Sequence, residues 1–212
     1  MPEIIETTVY HLDELTDPAK DKARAWYRDG VASEDWYEFV FEDFETIASL
    51  LGLELKTQTI RLYGGGTRQQ PCLYFRGFWS QGDGACFEGF YRYKAGARQA
   101  ILSHAPTETE LHAIADRLQN IQRRNFYRVT ADVTHRGRYC HEYSMDIEVT
   151  RGGRPAVAAA DEEGIAEATR DLARWLYRQL EREYEYQTSD EVIDEAIMAN
   201  GYTFTLDGRR FG

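Results

Sequence analysis

The stretch Cys72 to Tyr93, CLYFRGFWSQGDGACFEGFYRY, constrains this chain more than any other part of it. Two aromatic-rich runs flank a polar connector, Ser80-Gln81-Gly82-Asp83-Gly84. Phenylalanine, tyrosine and tryptophan suit a pleated, half-buried surface. Glycine permits the positive φ that a tight reversal needs. The stretch therefore predicts a β-hairpin whose tip presents a hydroxyl, an amide and a carboxylate together. Alternation places Leu73, Phe75, Gly77 and Trp79 on one side and Tyr74, Arg76, Phe78 and Ser80 on the other. Arg76 is expected to be more exposed than Phe75.

The remaining elements follow from periodicity and turn chemistry. Glu3 to Tyr10 reads as a short strand. Asp17 and Pro18 open a helix whose inner face carries Ala19, Ala23 and Trp26, ending at Gly30. A second helix is expected from Ser33 to Leu51, with Trp36, Val40, Ile47 and Leu51 as its apolar stripe and Phe39 and Phe44 widening it. Leu53 to Tyr63 alternates as a strand, and Gly64 to Pro71 reads as a loop. Thr107-Glu108-Thr109-Glu110 matches a capping box and predicts a helix over 107–124. Strands are expected at Tyr127–Thr134 and Tyr139–Thr150, joined at His135–Arg138. The longest helix spans Asp161 to about Tyr186, with Leu172, Trp175, Leu176 and Leu180 inward. Ser189 caps a last helix to Met198, and Asp207-Gly208 turns a terminal hairpin. These elements predict an α+β fold: an antiparallel sheet built from hairpins, helices on one face, and helical N- and C-terminal segments. Hairpins at 72–93 and 126–150 are expected to share one sheet. A single domain over 1–212 is expected, with 152–160 the candidate hinge before a helical C-terminal segment.

Composition narrows the function. A chain of 212 residues can bury a sizeable core. It has no run of about 18 apolar residues, so no membrane span is expected. The acidic start, Met1 to Glu6, does not read as a secretion signal. Cys72, Cys86 and Cys140 are odd in number and lack metal-ligand spacing, which fits reduced thiols in a cytoplasm. A formal net charge of −11 argues against direct nucleic-acid binding. The acid is concentrated at Ser33–Glu45 and Glu181–Glu195, whereas Tyr127–Arg154 is arginine-rich.

Four places can carry chemistry, and each has a plainer reading. At the hairpin tip, Trp79, Ser80, Gln81 and Asp83 are candidate binding residues, but aspartate and glycine also simply build turns. His135 and His141, with Tyr139 and Glu142 nearby, offer acid–base or metal-ligating groups. Histidines beside a turn are more often ordinary hydrogen-bonded residues, and no metal or cofactor is expected. Cys86 and Cys140 are candidate nucleophiles, although free cysteine mostly packs as a small hydrophobe. Strand alternation would separate Cys140 from His141 and leave Cys86 with His141 as the candidate pair. Glu38, Glu42 and Glu45 lie on the outer part of an acidic helix that can imitate a phosphate array or merely be solvated. The Gly64–Arg68 loop lacks the Gly-Lys-Ser/Thr ending of a P-loop.

Phe78-Trp79-Ser80-Gln81-Gly82-Asp83-Gly84-Ala85-Cys86-Phe87 resembles the FWSQGDGxxF signature of a group of proteins from bacteriophages and mobile elements, often labelled antitoxin of toxin–antitoxin stability system. Leu15–Tyr27 with Asp35-Trp36-Tyr37-Glu38, Arg138–Glu142 and Asn200–Gly208 are similar to the same group. The resemblance implies a phage or mobile-element origin and residence in a bacterial cytoplasm. It also implies an accessory protein that binds and blocks host machinery, such as a toxin or a basic nucleic-acid-binding defence protein. The expectation is a non-catalytic counter-defence inhibitor, anti-CRISPR-like or antitoxin-like. Two alternatives stand beside it: a sequestering protein for a small molecule or nucleotide, and a small hydrolase at Ser80–Gly84 with His135 and His141. A shared site requires the Ser80–Gly84 turn and His141 to lie close together.

Overall fold

The computed structural model describes residues 6–31, 35–152 and 156–212. The fold is α+β, with antiparallel sheets and helices at both ends of the chain. The chain forms two compact units, Met1–Glu38 with Glu181–Gly212, and Phe39–Leu180.

In the first unit, α1 (Asp17–Val31) pairs with α6 (Asp190–Ala199) around Leu12, Leu15, Ala19, Ala23, Ile193, Ile197 and Phe204. Arg24 grips Asp194 through two hydrogen bonds of 2.7 and 2.6 Å, and Arg28 binds Asp190 and the Thr188 carbonyl. Part of the acidic C-terminal run is thus matched by arginines of α1. Ser189 caps α6 by accepting from the Val192 N–H. The terminal hairpin forms between β9 (Thr203–Phe204) and β10 (Arg210–Phe211). The expected first strand reduces to a single bridge from Tyr10 to Phe204, and its residues before Glu6 lie outside the described residues.

The second unit is organised by three strand pairs. β1 (Leu53–Leu55) pairs with β6 (Gly89–Arg92), β2 (Thr57–Arg61) with β3 (Thr67–Pro71), and β4 (Leu73–Arg76) with β5 (Gly84–Phe87), all antiparallel. One residue separates the consecutive strands each time: Lys56, Cys72 and Glu88. Their backbones close a ring. The Lys56 N–H donates to Glu88 O (2.9 Å), the Glu88 N–H to Cys72 O (3.0 Å), and the Cys72 N–H to Lys56 O (2.8 Å). Each segment leaves one partner and joins the next at this point, and the ring satisfies the groups that the ladders release.

This geometry corrects four sequence expectations. Residues 72–93 do not form one hairpin in the main sheet: β4–β5 is a separate two-stranded sheet, and β6 belongs to the four-stranded sheet β1-β6-β7-β8. Leu53–Tyr63 breaks at Lys56, and part of the expected Gly64–Pro71 loop is strand β3. The second hairpin joins β7 (Val129–His135) to β8 (Met145–Arg151), so residues 139–144 are a loop and short 3-10 turn rather than strand.

One face of the four-stranded sheet is buried through Leu53, Tyr91, Val129, Ala131, Val133 and Met145. Helices α2 (Glu38–Leu51), α4 (Thr109–Arg124) and α5 (Ala159–Gln187) supply most of the remaining buried side chains. Of the expected stripe of α2, Phe44, Ile47 and Leu51 are buried, joined by Phe41 and Ala48, while Trp36 and Val40 are only half-buried; Phe44 lies against Phe87 at 5.4 Å. The helix begins at Glu38, and the expected start at Ser33 lies outside the described residues. A helix the pattern did not predict, α3 (Ala97–His104), precedes α4.

Gln122 is a polar residue fully inside this core. Its amide donates to Val129 O (2.7 Å) and Tyr91 Oη (3.2 Å), and its carbonyl accepts from the Val129 N–H (3.2 Å). Replacing it by the similarly sized methionine leaves both Val129 backbone groups buried and unmatched. Gln122→Met is expected to lower stability by about 2–4 kcal/mol at unchanged m-value in urea, on the cost of stranding buried polar groups.

Asp161 joins α5 to α4, bound by Arg124 at 2.6 Å and by the buried Asn125 at 2.7 Å. The Arg124 guanidinium, assisted by Asn125, holds its carboxyl below the ordinary range. A depressed folded-state value means the stabilisation is complete above the unfolded value and is lost as pH falls through the folded one. The stability gap between the wild type and Asp161→Asn should therefore be widest near neutrality and close as the solution is acidified below about pH 4. Urea titrations across that range measure it.

Candidate functional site

The hairpin tip between β4 and β5 is fixed from within. The Asp83 carboxylate accepts from the Ser80 N–H at 2.7 Å, and the Asp83 N–H returns to Ser80 O at 3.1 Å. Asp83 therefore builds the turn. Phe78 faces inward and stacks on Tyr177 of α5 at 5.5 Å, while Phe75 meets Phe41 at 6.0 Å. Trp79 takes the left-handed conformation, φ 70°, and stands 71 % exposed. A non-glycine residue there is uncommon, and for a bulky one it marks strain that surrounding structure must hold. Arg76 is exposed and Phe75 half-buried, as alternation predicts. Trp79 lies beyond the end of β4, so it does not share Phe75's buried side.

The loop between β7 and β8 folds across β5 and meets this tip. A Cβ on Gly84 would lie 2.7 Å from His141 Cβ and 2.9 Å from Cys140 O, and one on Gly82 would lie 3.2 Å from the Tyr139 ring. The Ser80–Gly84 turn and His141 are thus in contact, as a shared site requires. Arg76 donates to Arg138 O (3.3 Å), and Arg138 bonds and covers the Tyr139 ring. Arg174 of α5 fixes the far side of the loop, binding Glu142 (3.1 Å) and Tyr143 Oη (3.1 Å) while paired to Glu167 and Asp171. The exposed face of tip and loop is therefore aromatic and cationic: Trp79, Tyr139 and Tyr143 with Arg76 and Arg138. Ser80 and Gln81 are exposed beside them.

His141 Nδ1 accepts from the Tyr143 N–H at 3.1 Å and so caps the short turn. The expected pairing of Cys86 with His141 gives way to a different trio. Thiol and imidazole donor atoms of Cys86, His135 and Cys140 all lie within 4.8 Å of one another. Cys140 reaches Cys86 because residue 140 is in a loop, where strand alternation does not apply. His135 Nε2 sits 2.8 Å from the Tyr139 carbonyl. Burial pushes the Cys86 thiol up to about 12, with neighbouring Cys140 adding to the shift against a hydrogen bond from Ser144. A thiol held protonated at neutral pH is no nucleophile by itself.

Glu38, Glu42 and Glu45 are all exposed on α2, as expected for outer positions. Burial, followed by repulsion from Glu42, raises the Glu45 carboxyl. Phe39, expected to widen the inner stripe, is instead 80 % exposed among these acids. Among the described residues, no helix is long and apolar enough to cross a membrane.

The model of a protein family described as a domain of unknown function, DUF8835, matches residues 36–190. No curated protein and no solved structure matches the chain.

The approach of the loop to Gly84 gives a direct test of the site's architecture. Gly84→Ala has to push His141 and Cys140 away from β5, at a cost of about 1–3 kcal/mol typical of overpacking. Gly64→Ala, which meets nothing within 4 Å, should change stability by no more than about 1 kcal/mol. Parallel thermal and urea melts of the two variants distinguish a packed loop from a loose one.

Proposed function

The chain belongs to the DUF8835 family, and we propose that it is a non-catalytic binding protein that blocks a protein partner through the hairpin tip. The observation that carries this reading is Trp79, exposed at the tip with a left-handed backbone. Binding energy at protein interfaces concentrates in a few aromatic and arginine anchors held ready by their surroundings. Trp79 is held in that way: Asp83 closes the turn, and Phe78 is seated on α5. Tyr139, Arg76 and Arg138 lie beside the tip, which suits a partner surface with an apolar recess and acidic edges. Asp83 takes a structural part here, because its carboxylate is already used by Ser80.

A second contact surface has its own support. Phe39 projects from the same helix as exposed Glu38, Glu42 and Glu45, a combination that suits a basic partner with an apolar pocket. The bacteriophage or mobile-element setting, the bacterial cytoplasm and the counter-defence or antitoxin-like role belong to this proposal. They rest on the resemblance of the tip signature.

Pull-down from a bacterial host at two ionic strengths, followed by affinity measurement, separates the two surfaces. Trp79→Ala is expected to weaken partner binding by about 30-fold or more, the loss typical of a hot spot, with unchanged melting temperature. Charge reversal at Glu38, Glu42 and Glu45 should mainly slow association and flatten its salt dependence if the acidic face steers the encounter. Full binding by the Trp79 variant, with loss only in the acidic set, would move the site to α2. Full binding by both would refute the contact reading.

A further inference from the structure

We propose that Cys86, His135 and Cys140 form a metal site for a d10 ion with borderline-soft preferences, zinc above all, that ties the 136–144 loop to β5 beneath the hairpin tip. The inference stands independently of what the tip binds.

The donor set comes first. Two cysteines and a histidine are ligands that zinc takes in preference to oxygen-rich sets, and hard cations such as magnesium and calcium disfavour them. Zinc–sulfur and zinc–nitrogen bonds of about 2.3 and 2.0 Å place tetrahedral donors roughly 3.3–3.8 Å apart. The three donor atoms already lie within 4.8 Å of one another, so small side-chain rotations suffice to close on an ion. Spacing agrees as well: His135 and Cys140 are separated by four residues, a local chelate of the length found in zinc sites. Cys86 adds a ligand from a strand, as a site that joins two segments requires.

The histidine offers a second, independent observation. A carbonyl oxygen only accepts, so the 2.8 Å contact makes His135 Nε2–H donate to Tyr139 O. In the neutral imidazole that arrangement leaves the lone pair on Nδ1. Metal-bound histidines are commonly held this way, with the other ring nitrogen donating to a carbonyl that fixes tautomer and ring orientation. The supporting carbonyl comes from the residue before Cys140, so one loop supplies a ligand and orients another.

The surroundings are preorganised. Arg174 anchors Glu142 and Tyr143 on one side of the loop, and Gly84 admits His141 and Cys140 against β5 on the other. Cys86 is fully buried, whereas His135 and Cys140 are half-buried, which leaves a side through which an ion can enter. Three protein ligands leave a fourth position for water. On binding, each thiol releases its proton to solvent as the sulfur–metal bond forms, and nothing is oxidised or reduced.

The test uses the full-length, untagged chain, purified under reducing conditions, stripped with a chelator and titrated with cobalt(II), then zinc. The expected result is one cobalt per chain, with thiolate-to-cobalt charge transfer in the near ultraviolet and tetrahedral bands in the visible, abolished by zinc. Zinc should raise the melting temperature of the wild type. Cys140→Ala and His135→Gln, at half-buried positions, should each weaken cobalt binding by at least about 100-fold, beyond the 10–100-fold typical of removing a supporting partner. Cys86→Ala should do the same if it folds, and the other two variants carry the test if it does not. Cys72→Ala, a buried thiol outside the trio, should bind as the wild type does. Absence of the charge-transfer band, its persistence in the Cys140 and His135 variants, or recovery of a Cys86–Cys140 disulfide that takes up no cobalt after reduction would each overturn the proposal. The tip proposal is read separately, since Trp79→Ala should leave the cobalt spectrum unchanged.

Discussion

The closed ring of backbone hydrogen bonds among Lys56, Cys72 and Glu88 is the constraint from which the second unit is built. Three antiparallel pairs diverge from it, and at such a branch point each chain loses its ladder partner for one residue. A buried backbone group left unmatched costs about 1–3 kcal/mol, and Cys72 is buried. Three such groups in one place would undo much of the net stability of a domain. The ring removes that cost by letting each residue's N–H meet the next residue's carbonyl. Side chains reinforce it: Lys56 reaches Glu88 and, at 3.2 Å, Asp132 of the neighbouring strand β7. Because the three pairs diverge there, the junction also decides direction. One pair continues into the four-stranded sheet, one becomes the exposed β2–β3 ribbon, and one carries the aromatic tip.

Everything at the candidate site follows from that third direction. β5 leaves the junction fully buried, which puts Phe87 against Phe44 and leaves Cys86 and Gly84 under the loop that joins β7 to β8. The loop then needs its own anchors, because a 3-10 turn of Glu142–Ser144 has few backbone bonds of its own. Arg174 supplies them from α5, the helix that also seats Phe78 through Tyr177. Strain at Trp79 is tolerable for the same reason. The residues on either side are fixed by a carboxylate cap and an aromatic stack, and the tryptophan takes the backbone conformation left to it.

How much of this was legible in the sequence depends on what kind of interaction decided each element. The terminal hairpin, α5, α6 and the exposure of Arg76 over Phe75 were legible because local chemistry governs them. Ser189 caps α6 as its position suggests, and Asp207-Gly208 turns β9 into β10. Strand β3 was not, because Thr67–Pro71 is mostly exposed and carries no alternation to read. Helix α3 has a single fully buried side chain, Ile101, and starts at a left-handed Gly96 without a side-chain cap. The capping box at Thr107 failed through tertiary competition. Glu108 accepts from Trp175 Nε1 at 2.9 Å, Glu110 pairs with Arg178, and the helix begins at Thr109. In α2 the inward residues Phe44, Ile47 and Leu51 were legible, but Phe39 in the first turn was counted inward when it projects outward.

The same distinction explains why the candidate site was half visible. Its surface residues could be named from the signature, since exposed aromatics in a polar turn are unusual in any chain. The cysteine–histidine trio could not, because its members come from a strand, a strand end and a loop brought together only by the junction and by Arg174. Period-two reasoning took residues 139–150 as one strand and so separated Cys140 from His141; it failed because β8 begins only at Met145, which leaves Cys140 in the loop. One signal was present: His135, at the end of β7, and Cys140, in the loop that follows, carry a chelate spacing once residues 136–144 are read as a loop. A cluster that depends on long-range contacts to assemble also gives those contacts a use. If an ion binds there, the loop carrying Tyr139 is joined to the strand leading from the tip, and Trp79 and Tyr139 belong to one stiff surface. Rigid presentation reduces the entropy lost on association, so the trio and the exposed tryptophan are two parts of one physical argument about binding.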